Sequence, residues 1–304
     1  MAWVEGGGMN KIEFGDCREI MIRWAANGVK VQTCVTSPPY YGLRDYGHEG
    51  QIGLEQTPEQ YIAAMVEVFR CVRDVLSKDG TLWLNLGDSY GSGKQLLGVP
   101  WRIALALQAD GWILRQDIIW HKPNPMPESV RDRCTKAHEY IFLMSKSQKY
   151  FIDPDGMKEP AVSEKTAGNK RHKYADAYNA GTSEKHRTKA GLLNLAGKEW
   201  VTRNRRSVWT VATKPYKGAH FATFPPPLIE PCILAGSRHG DIVLDPFMGS
   251  GTTAQVALQH GRQYLGCELN SEYGTLQENR IAKAVPNIFD DFQMSLVLEQ
   301  NNAP

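Results

Sequence analysis

The chain has 304 residues, 42% hydrophobic and 22% charged, with a formal net charge of +2, which places it among ordinary globular proteins and is too small a charge to announce a nucleic-acid binder by itself. Its six cysteines (17, 34, 71, 134, 232 and 267) are scattered with no Cys-x-x-Cys pair, which argues against a zinc site or a disulfide framework and reads as reduced thiols inside a cell. No apolar run reaches the roughly 18 residues of a membrane span, and the start lacks the pattern of a signal peptide, so a cytoplasmic location is expected.

Lys11 to Asp16 reads as a short strand and Cys17 to Asn27 as a helix, with Asp16 placed to cap it. The next strand, from Val31, runs straight into Thr36-Ser37-Pro38-Pro39-Tyr40. Two prolines fix φ and remove backbone donors, leaving their carbonyls as acceptors in a stiff frame. An acceptor pair beside an aromatic face suits a planar ring bearing an amino group. The plainer reading is a rigid strand-end turn with a packing tyrosine. The loop Tyr41 to Gly47, rich in glycine, aromatics and charge, is of the kind that covers a substrate or touches DNA.

Thr57-Pro58-Glu59-Gln60 opens a helix with an N-cap, a proline in the first turn and a capping box. Tyr61, Met65, Val68, Phe69, Val72 and Leu76 recur at helical spacing, which puts one face on a sheet, and Gly80 is expected to end the helix. A strand over Thr81 to Leu86, a helix over Val99 to Ala109 and a strand over Ile113 to Trp120 follow. His121-Lys122-Pro123-Asn124-Pro125 then leads toward the apolar run Glu139 to Met144.

From Lys158 to Lys217 the composition changes. Basic residues crowd this stretch, Lys170, Arg171, Arg203, Arg205 and Arg206 among them, interleaved with Tyr174, Tyr178, Trp200 and Trp209. That is the footprint of a surface that meets phosphates, with a solvated basic insertion as the alternative.

An apolar helix over Leu228 to Ala235 feeds the stretch Ile242-Val243-Leu244-Asp245-Pro246-Phe247-Met248-Gly249-Ser250-Gly251-Thr252-Thr253. It reads as a buried strand ending in a carboxylate, a Gly-rich turn, and a helix to His260. Glycines 249 and 251 can take positive φ and let a ligand sit against bare backbone. Open α/β sheets bind nucleotides at such strand ends. The strand Gln263 to Leu269 carries Glu268 at about the spacing of an acid that grips ribose hydroxyls, which points to a nucleoside-containing ligand. A phosphate-cradling P-loop is excluded. Gly249-Ser250-Gly251-Thr252 has no lysine, and around Gly93-Lys94 the first glycine is Asp88 and the hydroxyl residue is Gln95.

Taken together, Thr36-Ser37-Pro38-Pro39-Tyr40 and Asp245-Pro246-Phe247-Met248-Gly249-Ser250-Gly251-Thr252 resemble the paired catalytic and cofactor motifs of the DNA amino-methyltransferases that use S-adenosylmethionine. With the catalytic motif first, the order is similar to that of the family's beta group. The resemblance covers most of the chain and is weakest between about 155 and 217. It implies an α/β, Rossmann-like methyltransferase fold with circularly permuted motif order and a mixed sheet with helices on both faces. It divides the chain into a catalytic and cofactor-binding domain over 9–154 and 218–290 and an inserted target-recognition region over 155–217.

The same resemblance implies S-adenosylmethionine held by Asp16, Thr36, Phe221, Asp245, Phe247, Gly249, Gly251, Thr252 and Glu268. It makes Ser37, Pro38, Pro39 and Tyr40 catalytic, while the basic footprint of 158–217 assigns Lys170, Arg171, Arg203, Arg205 and Arg206 to double-stranded DNA. No metal and no membrane enter, and a homodimer is an assembly open to it. Ser37 Oγ and the Pro38 carbonyl would accept from the amino group of a flipped base, localising its lone pair for in-line attack, with Tyr40 stacked on the base. On a stacking role, Tyr40→Phe keeps much of the activity. Adenine N6 and cytosine N4 need the same acceptors and stay level. Ring-carbon methylation would need a cysteine beside the substrate, and Pro231-Cys232 falls in a helix pattern instead. A catalytically inactive DNA-binding regulator, and an RNA or protein-amide methyltransferase, are the alternatives. The second normally carries Asn first in its motif, in the opposite chain order.

Overall fold

The computed structural model describes residues 9–45, 47–48, 50–161, 201–213 and 224–284. It divides into two compact units, Met1–Gly156 with Arg206–Pro304, and Met157–Arg205. The first unit holds one eight-stranded sheet in the order β1-β10-β9-β2-β3-β5-β4-β8. Its strands are β1 (Lys11–Phe14), β2 (Val31–Thr36), β3 (Leu76–Leu86), β4 (Ile113–His121), β5 (His138–Ser145), β8 (Val208–Thr210), β9 (Ile242–Asp245) and β10 (Gln263–Glu268). Its helices are α1 (Cys17–Ala26), α2 (Pro58–Val75), α3 (Val99–Ala109), α4 (Pro226–Gly236), α5 (Thr252–Gln259) and α6 (Gly274–Ala282). The second unit holds a two-stranded antiparallel pair, β6 (Lys158–Pro160) with β7 (Thr202–Asn204).

Five neighbouring strands, β1, β10, β9, β2 and β3, run parallel, and β5 is antiparallel to both β3 and β4. The sheet is therefore mixed, as expected. Parallel strands need helical crossovers that cover both faces, and this is why every residue of β2 is buried. On one face, Ile20, Met21 and Trp24 of α1, Met65, Phe69 and Val72 of α2 and Ile103 and Leu107 of α3 share a core with Cys34, Leu82, Leu84 and Leu244. Helices α4 and α5 pack on each other, α4 against β2 and β3 and α5 against β9 and β10.

The capping box that opens α2 is present in both halves: Thr57 Oγ1 accepts from Gln60 N and Gln60 Oε1 accepts from Thr57 N. The end of α2 differs from the sequence expectation. The helix stops at Val75, and Gly80 lies inside β3. There the chain turns extended at Leu76, and a distant cation caps the end: Lys146 Nζ donates to the carbonyls of Arg73 (2.5 Å) and Leu76 (2.8 Å). The insertion expected over 155–217 is also narrower at its far end, because 206–213 belongs to the first unit and β8 pairs with β4.

All five parallel strands end on the same edge. Crossovers leave β9 toward β10 and β2 toward β3, in opposite directions along the sheet, so the order reverses between β9 and β2. A crevice opens at the carboxyl ends of such a pair.

Candidate active site

Asp245 ends β9 and Thr36 ends β2, and the two are locked together. Thr36 Oγ1 donates to Asp245 Oδ1 at 2.6 Å, Thr253 Oγ1 donates to Asp245 Oδ2 at 2.6 Å, and Phe247 N donates to Oδ1 at 3.0 Å. The carboxylate is buried, and burial lifts its pKa to about 6 against the lowering effect of those three donors. Asp245 thus spends its oxygens on fixing the two strand ends and the turn after β9.

That turn is built as its glycines require. Gly249 has φ +51° and Gly251 φ +85°, and Gly251 precedes α5 as its N-cap. Gln277 Nε2 donates to the Gly249 carbonyl at 2.7 Å, and Arg280 bonds Thr252 Oγ1, so α6 holds the turn from behind. Glu268, at the end of β10, accepts from Gly249 N (2.7 Å) on one oxygen and Asn270 N (2.9 Å) on the other. Burial raises its pKa, the two amides oppose the rise, and Asp245 adds to it. Each oxygen keeps a lone pair for a further donor.

In front of these residues lies a cavity of about 660 Å³. Of the residues expected to hold a cofactor, Asp16, Phe247, Gly249, Thr252 and Glu268 line it. Thr36, Asp245 and Gly251 do not; they stand behind the wall and shape it. Phe221 lies outside the described residues. Asp16 caps α1 by accepting from Arg18 N at 2.8 Å and pairs with the Arg18 guanidinium at 2.6 Å, so the capping reading holds at this position. The Arg18 hydrogen bond holds its carboxyl below the usual range against burial.

The wall also contains Ser250, whose Oγ is buried with no hydrogen-bond partner among the described residues. Buried hydroxyls without partners are rare, and this one stands where a polar ligand would satisfy it. A carboxylate with lone pairs to spare, a turn bare of side chains at Gly249, an orphaned Ser250 hydroxyl and the apolar flanks Phe247 and Leu269 together fit an adenosine-bearing cofactor.

Ser37, Pro38, Pro39 and Tyr40 line the same cavity, one residue beyond the Thr36 lock. The Pro39 carbonyl accepts from Tyr61 OH at 2.7 Å, while the Pro38 carbonyl accepts from no group among the described residues. Ser37 Oγ donates to Tyr40 OH at 3.3 Å. Tyr40 OH in turn lies 2.7 Å from Glu139 Oε2 and 3.2 Å from Asn85 Oδ1. Lys122 Nζ pairs with the other Glu139 oxygen and sits 4.3 Å from the Trp120 ring centre. Burial and the nearby Glu139 both push the Tyr40 phenol well above its ordinary pKa, so the hydroxyl keeps its proton and donates.

Asn85 carries no signal in the sequence, and Glu139 carries one only as the head of the run to Met144, which resembles the family's later motifs, where a strand pair lines the base pocket. They sit on β3 and β5, 45 and 99 positions from Tyr40; the β2–β3 pairing brings Asn85 in and the antiparallel β3–β5 pairing adds Glu139.

Of the expected DNA-contact residues, Arg203, Arg205 and Arg206 are described. Arg203 on β7 pairs with Glu159 on β6 at 2.8 Å, and Arg205 N donates to the Met157 carbonyl at 2.8 Å. The Arg206 carbonyl accepts from Trp209 Nε1 at 2.7 Å. Lys170 and Arg171 lie outside the described residues. Among the described residues no cluster of His, Cys, Asp and Glu is set to hold a metal, and no helix is long and apolar enough to cross a membrane.

Comparison with known proteins follows the same lines. A family model described as DNA methylase, of the N6/N4 type, matches residues 31–279. The type II methyltransferase M.SmaI of Serratia marcescens is 45% identical, over 90% of this chain and 91% of its own length. Among solved structures, the cytosine-N4-specific PvuII DNA methyltransferase superposes with a TM-score of 0.64 at 18% identity, over 92% of this chain and 88% of its own. A putative DNA modification methylase from Thermus thermophilus, complexed with S-adenosyl-L-methionine, superposes with a TM-score of 0.59 at 25% identity, over 91% of this chain and 97% of its own.

Proposed function

The chain belongs to the N6/N4 DNA methylase family, and from that membership we propose how its own residues carry out the reaction. It is a sequence-specific DNA methyltransferase that transfers a methyl group from S-adenosylmethionine to an exocyclic amino nitrogen, adenine N6 or cytosine N4. The observation that carries the residue-level reading is the single cavity that Ser37 to Tyr40 share with Gly249 and Glu268.

The cofactor supplies an electrophilic methyl carried on a sulfonium. Glu268, the Gly249 turn and Ser250 hold it, with Phe247 and Leu269 as apolar flanks. The target base enters beside Ser37. An amino group conjugated to a ring is a poor nucleophile because its lone pair is delocalised. Ser37 Oγ, which gives its own proton to Tyr40 OH, has lone pairs left to accept from the amino N–H, and the open Pro38 carbonyl is the second acceptor. Two acceptors out of the ring plane favour a tetrahedral nitrogen and a localised lone pair. Catalysis is then mainly positioning. Inside a duplex the amino group cannot reach this pocket, so the base is flipped and Tyr40 stacks on it.

Within the same proposal, Lys170, Arg171, Arg203, Arg205 and Arg206 supply phosphate contacts, with Arg203 set by its pairing to Glu159. The inserted region reads the target sequence, and the enzyme works in the cytoplasm.

The test is direct. DNA from cells expressing the chain is digested to nucleosides for mass spectrometry and sequenced for modified positions. N6-methyladenine or N4-methylcytosine at one short sequence is expected. DNA bearing only 5-methylcytosine, or no new methylation with folded protein present, would overturn the reading.

A further inference from the structure

The segment 123–127 forms part of the cavity's rim, and the chemistry above makes no use of it. Proline stands at 123, 125 and 127. Each proline fixes its own φ, and Asn124 and Met126, each preceding a proline, are restricted to extended backbone. Asn124 is also clamped from the side: its Nδ2 donates to the Thr213 carbonyl at 2.9 Å and its Oδ1 accepts from Thr213 N at 3.0 Å. This stiff segment holds Met126 outward. Its side chain is 84% exposed, the highest value for any large hydrophobic residue among those described, yet it lines the cavity. Leu43, another exposed apolar residue of the lining at 53%, follows Gly42 at φ +66° and has no comparable frame.

Single exposed apolar side chains are ordinary on a protein surface; this one is set apart by the stiff frame that presents it at a pocket mouth, within reach of a partner. The reaction provides it. A base extruded from a duplex leaves a slot walled by the faces of its two neighbours. Apolar side chains, methionine included, wedge between base steps, and an unbranched, polarisable thioether suits contact with aromatic faces. Pre-organisation by the prolines lowers the ordering cost of such insertion. We propose that Met126 enters the DNA stack where the target base has left and holds the flipped state open. This rests on the amino-methylation reading above.

The experiment compares wild type, Met126→Ala and Met126→Leu in single-turnover transfer of labelled methyl groups to two duplexes carrying the mapped site. In one the target is paired; in the other it faces an abasic position, so that extrusion is cheap. Met126→Ala should slow transfer to the paired duplex by roughly tenfold, while Met126→Leu, still a wedge, stays near wild type. On the abasic-opposed duplex all three should agree within about twofold. A wild-type rate for Met126→Ala on the paired duplex would overturn the proposal. So would an equal loss on both duplexes, or weakened S-adenosylmethionine binding in calorimetry, since either would move Met126 into the pocket itself. Wild-type failure on both duplexes would be the failure of the amino-methylation reading, and the wedge would fall with it.

Discussion

At the level of single residues, the Tyr40 hydroxyl separates two accounts of one side chain. A stacking role alone leaves Tyr40→Phe active. The structure ties that hydroxyl to Ser37, Glu139 and Asn85, so the phenol sets the Ser37 rotamer as well as presenting a ring. A hydrogen bond to a charged group contributes about 1.5–3 kcal/mol, and Tyr40→Phe should therefore slow single-turnover transfer by roughly ten- to a hundredfold while cofactor affinity in calorimetry stays put. Full activity in Tyr40→Phe would return the residue to stacking alone. Asp245 allows a pH prediction. Its carboxyl titrates near 6 in the fold, against about 3.9 in an unfolded chain. A raised folded pKa means that its stabilising contribution is complete below about 3.9 and is lost as pH rises through about 6. Asn at this position does not titrate. The melting temperature of Asp245→Asn should gain on wild type between pH 4 and 7, and a constant difference across that range would refute the titration.

Elements carry their own tests. Gly87 follows β3, and a Cβ there would sit 2.5 Å from Tyr40 Cε2, a ring that the hydroxyl network keeps from moving aside. Gly87→Ala should fold and bind cofactor but transfer methyl slowly, because the ring must shift and take Ser37 with it. A wild-type rate would mean the ring has slack. At the start of α2, Thr57→Ala removes a cap bond on the solvent side and should cost about 1 kcal/mol in denaturant unfolding with unchanged methyl transfer. The two ends of this helix also show what a sequence can reveal. Its start was readable because a capping box is local, complete within four residues. Its end was not: Gly80 has the look of a terminator, but the helix ends at Val75, where its carbonyls are capped by Lys146, some seventy positions away, through a fold no local pattern encodes. The site divides the same way. Ser37 to Tyr40 and Gly249 to Thr252 are contiguous motifs that a sequence displays, whereas Glu139 and Asn85 reach Tyr40 only across paired strands, and the bonds of Asp245 to Phe247, Thr253 and the distant Thr36 join stretches far apart in the chain.

For the molecule as a whole, near-neutral net charge conceals a basic stretch between 158 and 217. Substituting Lys170, Arg171 and Arg206 with Gln together should weaken DNA binding and reduce the salt slope by about 1 for each phosphate no longer neutralised, leaving S-adenosylmethionine affinity intact. An unchanged slope would place the phosphate-binding surface elsewhere. Chain order has one more consequence, for the emerging polypeptide. The bond from Thr36 to Asp245 closes a loop of 209 positions, and β2 lies between β3, made early, and β9, made late. Contacts this distant in sequence form slowly, and a growing chain has to be nearly finished before they can form at all. A chain that stops before β9 lacks Asp245, the Gly249 turn and Glu268, the last two being residues proposed above to hold the methyl donor. On that proposal incomplete copies are silent toward the genome, and modification waits for chains translated almost to their end.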